Sequence, residues 1–448
     1  MDHEEKMRMT RRVILIFVFT FTLVVLVGVS ALALQRYMAG GTAGTRSTGG
    51  TETAAGQADA GEIAQKTAEF AEPIPERAEV PETPAQDGVG QAEEQEDPAA
   101  DADAQTAEEE VREDPFTRRV TPAEADAVTM AFAGDILFDS SYSIQARVPK
   151  DGSVTGQIGA SLLEEMNRVD LMVVNNEFPY TSRGTPQPEK IFTFHAHPRT
   201  VRQLKEMGVD LVSLANNHTF DYGEQGFLDT LDTLDRAGIP RIGAGRDIEE
   251  ASHPMTFVSN GMRIAVIAAT QIERFGNPNT RGATESLPGV FRCMDDKRLC
   301  ERVREAKADH DFVIVFIHWG TENTEQPDWL QLQQAPEIAA AGADLIIGAH
   351  SHCLQPISIV SGVPVVYSLG NFLFNSKTLD TGLVECVIER ADTGSAARLR
   401  SLTFLPCIQS GCAVRFAEGE EKGRILQYMR DISPGTAIDA DGGIDLAG

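Results

Sequence analysis

Leu211-Val212-Ser213-Leu214-Ala215-Asn216-Asn217-His218 is the stretch on which the fold turns: an apolar run of strand length that ends in two amides and an imidazole. Short apolar runs bounded by turn-forming residues read as buried strands. The Asn-Asn-His therefore sets metal-ligand side chains where a strand opens into its loop. Four other segments repeat the arrangement. The run 128–133 leads into Gly134-Asp135, 171–174 into Asn175-Asn176-Glu177, 312–317 into His318-Trp319-Gly320, and 345–347 into Gly348-Ala349-His350-Ser351-His352. One such residue is ordinarily a satisfied turn residue. Five in succession, mixing carboxylate, amide oxygen and imidazole, are not explained by turns.

Apolar runs at 264–269 and 363–369 extend the strand set. Helix signals lie between the runs: 198–207 closed by Gly208, a face of Phe227, Leu228, Leu231 and Leu234 closed by Gly238, and 295–308. Strands alternating with helices predict a layered α/β domain that binds ligands where strand ends meet loops. Runs at 383–388 and 398–405 are expected to join a second sheet. The domain is expected to cover 127–432, and the Gly- and Asp-rich residues 433–448 to form a disordered tail.

The N-terminal quarter has a different texture. Residues 13–34 are almost uninterruptedly apolar, long enough to cross a bilayer as a helix. Lys6, Arg8, Arg11 and Arg12 precede them and an acidic stretch follows, so the positive-inside bias puts residues 1–12 in the cytoplasm and everything after the anchor outside. Ala31-Leu32-Ala33 also fits a signal-peptidase site, and cleavage there would export the same domain. Residues 35–126, rich in Ala, Glu, Asp, Gln, Gly, Thr and Pro, lack the apolar residues a core needs and read as a disordered acidic linker. A formal net charge of −28 argues against a nucleic-acid partner. The six cysteines, Cys293, Cys300, Cys353, Cys386, Cys407 and Cys412, form no CxxC; outside the cytosol Cys407 with Cys412, and Cys293 with Cys300, are candidate pairs.

A mixed oxygen and nitrogen donor set without thiolates suits one or two divalent ions such as Mn, Fe or Zn. In two-metal hydrolases such ions activate water and stabilise both oxygens of an in-line displacement. The ordered signatures Phe132-Ala133-Gly134-Asp135, Asn175-x-Glu177, Leu214-Ala215-Asn216-Asn217-His218-x-x-Asp221-x-Gly223, His318-Trp319-Gly320-x-Glu322, Gly348-Ala349-His350-Ser351-His352 and Tyr367-Ser368-Leu369-Gly370-Asn371-Phe372 resemble those of CapA-type proteins of poly-γ-glutamate capsule biosynthesis, a branch of the calcineurin-like metallophosphoesterases. The resemblance implies a four-layer sandwich, two mixed β-sheets flanked by helices. It also implies Asp135 and His352 at a first metal, Asn217, His318 and His350 at a second, and Glu177 bridging them.

By the same resemblance His218 is the histidine that touches substrate, a candidate general acid. Asp221 is expected either to fix that imidazole or to cap the next helix, Glu322 to orient His318 or to exchange protons, and Lys190 to meet an anionic substrate. Ordinary phosphoesterases carry Asp-x-His in the first motif, whereas Leu137 stands at the His position. Either the first metal is held weakly or a neighbour such as Asn175 substitutes. His195 and His197 are expected to line the cleft without ligating, and Asn371 to shape its floor. Two functions follow. One is a metal-dependent hydrolase or transferase, anchored in the cell membrane with its catalytic domain extracellular, acting on a phosphoester or glutamyl polymer. The other is a non-catalytic component that binds anionic polymer through metal within an assembly of membrane capsule-synthesis proteins.

Overall fold

Apolar runs without a polar interruption require a sheet buried on both faces, and three separate clusters of buried side chains provide it. In the strand Met262–Thr270, Ile264, Val266 and Ala268 face one cluster while Ala265, Ile267 and Ala269 face another. Phe312–His318 divides in the same way, Phe312, Ile314 and Phe316 against Val313, Val315 and Ile317. In the other sheet, Val128, Met130 and Phe132 of Ala127–Ile136 join the first cluster and Ala131 and Ala133 a third. The shared cluster is the core between the sheets, where Phe132 and Phe316 meet edge to face at 5.8 Å between ring centroids. The outer clusters take in helices Ala160–Arg168 and Gly223–Ala237 on one side, and Lys297–Asp309 and Trp329–Ala341 on the other. The layering is thus helix, sheet, sheet, helix.

The structure is a computed structural model and describes residues 114–446 except 140, 149–151, 189, 260, 273–279 and 391–395. The expected cytoplasmic segment 1–12, the anchor 13–34 and the linker up to 113 lie outside the described residues. Among the described residues no helix is long and apolar enough to cross a membrane.

Both sheets are mixed. The seven-stranded sheet runs in the spatial order Thr117–Arg119, Met255–Ser259, Met262–Thr270, Phe312–His318, Leu345–Ala349, Val363–Val366, Ile357–Val360. The eight-stranded sheet runs Ala413–Phe416, Arg398–Ser410, Leu379–Glu389, Ala127–Ile136, Leu171–Asn176, Leu211–Ser213, Arg241–Ile242, with Asn371–Leu373 also pairing to Ala127–Ile136. Each sheet has a parallel centre, Met262–Thr270 to Leu345–Ala349 in one and Ala127–Ile136 to Leu211–Ser213 in the other. The ligand-type residues lie at the C-terminal ends of these strands.

Two boundaries differ from expectation. The ordered domain begins before 127, because Thr117–Arg119 adds a parallel edge strand to Met255–Ser259. Its Thr-Arg-Arg sequence hides it: this strand is held by backbone hydrogen bonds while its side chains face solvent. At the other end the expected disordered tail is packed. Ile438 and Ile444 are buried in the inter-sheet core beside Leu402 and Leu426, and the Ile444 amide donates to the Leu402 carbonyl at 2.9 Å. Two isoleucines suffice to dock a segment whose composition is otherwise that of a loop. The candidate disulfides are also absent: none of the six cysteines, all among the described residues, is bridged.

Candidate metal centre

Five loops converge as the strand ends dictate. Asp135, Glu177, His318 and His350 are buried, and His352 is partly exposed. Glu177, His318 and His350 offer ligating atoms within 4.8 Å of one another, and so do Asp135, Glu177 and His352. Glu177 belongs to both groups, the position of a bridging carboxylate. Asn217 joins the first group: its Oδ1 lies 2.9 Å from His318 Nε2, which is 3.7 Å from Glu177 Oε1.

The donor atoms themselves fit cations. Asp135 Oδ2, Glu177 Oε1 and His350 Nδ1 are buried without a hydrogen-bond partner, which costs about 1–3 kcal/mol for each neutral group and more for a charged one. Asp135 Oδ2 lies only 3.2 Å from His352 Nδ1 yet outside hydrogen-bond geometry, as expected of two atoms aimed at a common third point. His350 and His352 have φ of +99° and +57°, conformations that non-glycine residues avoid and that concentrate at functional sites. Gly348 makes their turn possible. A Cβ there would fall 2.0 Å from the Tyr367 carbonyl oxygen and 2.4 Å from Trp319 Nε1, which bond to each other across it.

A chain of amides fixes the orientation of Asn175. Asn216 Oδ1 accepts from the backbone N–H groups of His218 and Thr219, both at 3.0 Å. Its nitrogen must then donate the other way, to the Asn176 carbonyl at 2.9 Å and to Asn175 Oδ1 at 3.1 Å. Asn175 consequently turns its own nitrogen toward Asp135 Oδ1, 2.7 Å away, and Glu177 Oε2, 3.4 Å away. It positions the two carboxylates and is not the substitute ligand that the sequence left open. Leu137 is fully buried among apolar side chains and presents nothing to the centre.

His218 stacks on Phe194 at 4.2 Å between centroids and places Nδ1 2.7 Å from Asp221 Oδ2. Asp221 Oδ2 also accepts from the Phe194 amide at 2.7 Å, so this carboxylate locks the imidazole; Gly223–Ala237 begins after Tyr222, without a side-chain cap. Lys190 has another task than the one expected. Its side chain is 7% exposed, and its ammonium pairs with Asp221 and donates to the Asn217 carbonyl at 2.6 Å. It balances the charge of Asp221 and is not displayed to a substrate. Phe194 and Asn216 were assigned no task from sequence, because stacking and amide orientation leave no spacing pattern. Of the two flanking histidines, His195 lies against Tyr222 with Nδ1 3.6 Å from Asp139, and His197 caps the short helix Pro198–Val201.

Glu322 lies in neither ligand group. Its loop is tied to the histidine turn, the Asn323 amide donating to the Ser351 carbonyl at 2.8 Å, and to the interior by Gln355 Nε2, which donates to the Thr324 carbonyl at 2.7 Å. Burial raises its pKa, but its electrostatic interactions with His350, His352, His218 and Lys190 outweigh that and hold it below the usual carboxylate range. Burial, then the Asp135 charge, pushes Glu177 well above that range. Burial also lowers His218 against the pull of Asp221, takes His318 well down, and takes His350 down to about 4.

His352 goes the other way. Burial pulls it down, but Glu177, Asp135 and Glu322 together overcome burial and push it up to about 10. A proton therefore occupies His352 in the ion-free protein at neutral pH. Its folded pKa exceeds the ordinary 6.5, so the stability it contributes is full below about 6.5 and is lost as pH rises through about 10. A cation at the first group must displace that proton. We expect release of at least one proton as that ion binds near pH 7.5, because any proton Glu177 retains is displaced with that of His352, and affinity rises with pH. Calorimetric titration in buffers of different ionisation enthalpy measures it; release near zero would contradict this reading.

A family description, Bacterial capsule synthesis protein PGA_cap, matches residues 129–376, which hold every residue of the centre. The chain belongs to this family. Among curated relatives, the PGA biosynthesis protein CapA of Bacillus subtilis (strain 168) is 31% identical over 291 residues, 62% of this chain and 72% of that protein. The capsule biosynthesis protein CapA of Bacillus anthracis is 29% identical over 333 residues, 71% of this chain and 78% of that protein. A probable polyglutamine synthesis accessory protein of Mycobacterium tuberculosis is 29% identical over 213 residues, 46% of this chain and 56% of that protein.

Proposed function

We propose that this PGA_cap protein is a divalent-metal-dependent hydrolase or transferase of extracellular anionic-polymer synthesis, held at the outer face of the cell membrane by residues 13–34. One observation carries the reading: two ligand groups share Glu177, and Asp135, Glu177 and His350 each hold a buried donor atom there without a hydrogen-bond partner. Asp135, Glu177 and His352 would hold one ion, and Glu177, Asn217, His318 and His350 the other. When bound, the ions supply Lewis acidity that activates water and stabilises charge on a phosphoryl or acyl oxygen.

The chain's own groups do the rest. Asp221 holds His218 Nδ1 and thereby leaves Nε2, 4.0 Å from Glu177 Oε1, as the atom that exchanges a proton with the substrate. Lys190 keeps Asp221 from drawing a second proton onto that imidazole. Glu322 faces the histidines as an anion and orients them or relays protons. The resemblance to CapA-type proteins, with relatives named for PGA and capsule biosynthesis, supports a glutamyl polymer as substrate and other membrane capsule-synthesis proteins as partners.

The burial of Leu137 favours a second reading, in which the ions bind polymer without turning it over. Full-length protein should carry divalent metal by elemental analysis and hydrolyse a phosphodiester surrogate when supplied with Mn²⁺. Metal-loaded protein that stays silent on phosphodiester and γ-glutamyl surrogates would transfer the assignment to the binding role.

A further inference from the structure

Asn371 stands in register with Asp135 on the strand Asn371–Leu373, and Asn175 stands in register with Asp135 on the opposite side. Neighbours in register project to the same face of a sheet, so Asp135 is flanked by two amides. They present opposite atoms. Asn175, turned by Asn216, shows its nitrogen to Asp135. Asn371, 2% exposed, shows its oxygen, which lies 2.8 Å from His352 Nδ1, the same nitrogen that is 3.2 Å from Asp135 Oδ2.

Around an ion with bonds of about 2.1 Å, adjacent donor atoms sit about 3 Å apart. The spacings of His352 Nδ1 to Asn371 Oδ1 and to Asp135 Oδ2 match that edge length. We infer that Asn371 Oδ1 is a protein ligand of the first ion, supplying the donor that Leu137 does not. The first site then offers two carboxylates, an amide oxygen and one imidazole, and the second one carboxylate, an amide oxygen and two imidazoles. Oxygen-rich donors suit harder ions and imidazole softer ones, so the first site favours Mn²⁺ and the second Zn²⁺. The inference rests on the metal reading above and adds to it a ligand and a difference between the two sites.

The test is Mn²⁺ binding to full-length protein by calorimetry and elemental analysis, with the wild type, Asn371→Leu and Asn371→Asp. The wild type should bind two ions. Asn371→Leu should keep one at unchanged affinity and hold the other about 10-fold or more weaker. Asn371→Asp should bind that ion more tightly than wild type, because a carboxylate is the stronger donor. If Asn371 merely accepts a hydrogen bond from His352, the aspartate holds the His352 proton more firmly and weakens the ion instead. That sign, or two ions at wild-type affinity in Asn371→Leu, overturns the inference and leaves the metal reading intact. A wild type that binds no ion overturns both. Asn371→Asp, nearly equal in volume, keeps the test open if the leucine variant fails to fold.

Discussion

Glu177→Ala is expected to remove both ions at once and to lower kcat/KM by at least about 100-fold, the scale on which single donors and metal-supporting groups act. The expectation follows from membership: Glu177 is the residue common to the two ligand groups. His318→Ala, which touches one group, should leave an ion at Asp135, Glu177 and His352. Elemental analysis of the two purified variants gives the comparison. Glu177→Gln separates this loss from unfolding. The folded pKa of Glu177 lies well above its ordinary 4.5, so as pH rises past about 4.5 the unfolded chain ionises this carboxyl and the folded, ion-free protein does not. Stability is lost with rising pH on account of Glu177. The glutamine variant escapes that loss and should match or exceed the ion-free wild type in denaturant midpoint above about pH 5. Equal metal content in Glu177→Ala and His318→Ala would remove the case for a shared ligand.

Gly134→Ala is expected to cost about 3 kcal/mol or more, with the loss of Asp135 and Asn371 from the centre. A Cβ at Gly134 would fall 1.8 Å from the Gly370 carbonyl oxygen. That oxygen cannot retreat, because it accepts from the Asp135 amide at 3.1 Å in the seam that joins Asn371–Leu373 to Ala127–Ile136. Overpacking commonly costs about 1–3 kcal/mol where side chains yield, and backbone yields less. Chemical denaturation measures the cost. A midpoint within experimental error of wild type would show that the seam opens freely and that the Gly-Asp pair is not conformational in origin.

Much of this was legible in the chain. Runs such as 264–269 and 312–317 can be satisfied only by a sheet covered on both faces, and the inter-sheet core and one outer cluster cover them. The helix Trp329–Ala341 was not legible: Pro336 lies inside it, and its start depends on a capping box between Asp328 and Gln331 that follows a loop with no apolar rhythm. Thr117–Arg119 and the tail around Ile438 and Ile444 were hidden for a related reason, since an edge strand and a docked segment need few apolar residues when the surface that receives them already exists. At the centre, Asp135, Glu177, Asn217, His318, His350 and His352 announce themselves by residue type at strand ends, and all of them converge.

The pairing of Lys190 with Asp221 was not legible, because sequence gives the charge and type of a side chain and leaves open which atom it turns toward which neighbour. The order of strands and donors was written along the chain, since burial on both faces and a break into polar residues at each strand end are local properties of the sequence. Which amide shows nitrogen and which oxygen, and which charge answers which, was settled only by packing. Those choices also depend on contacts between residues far apart in the chain, such as Asn175 with Asp135 and His318 with Asn217, which exist only once the elements that carry them have packed together.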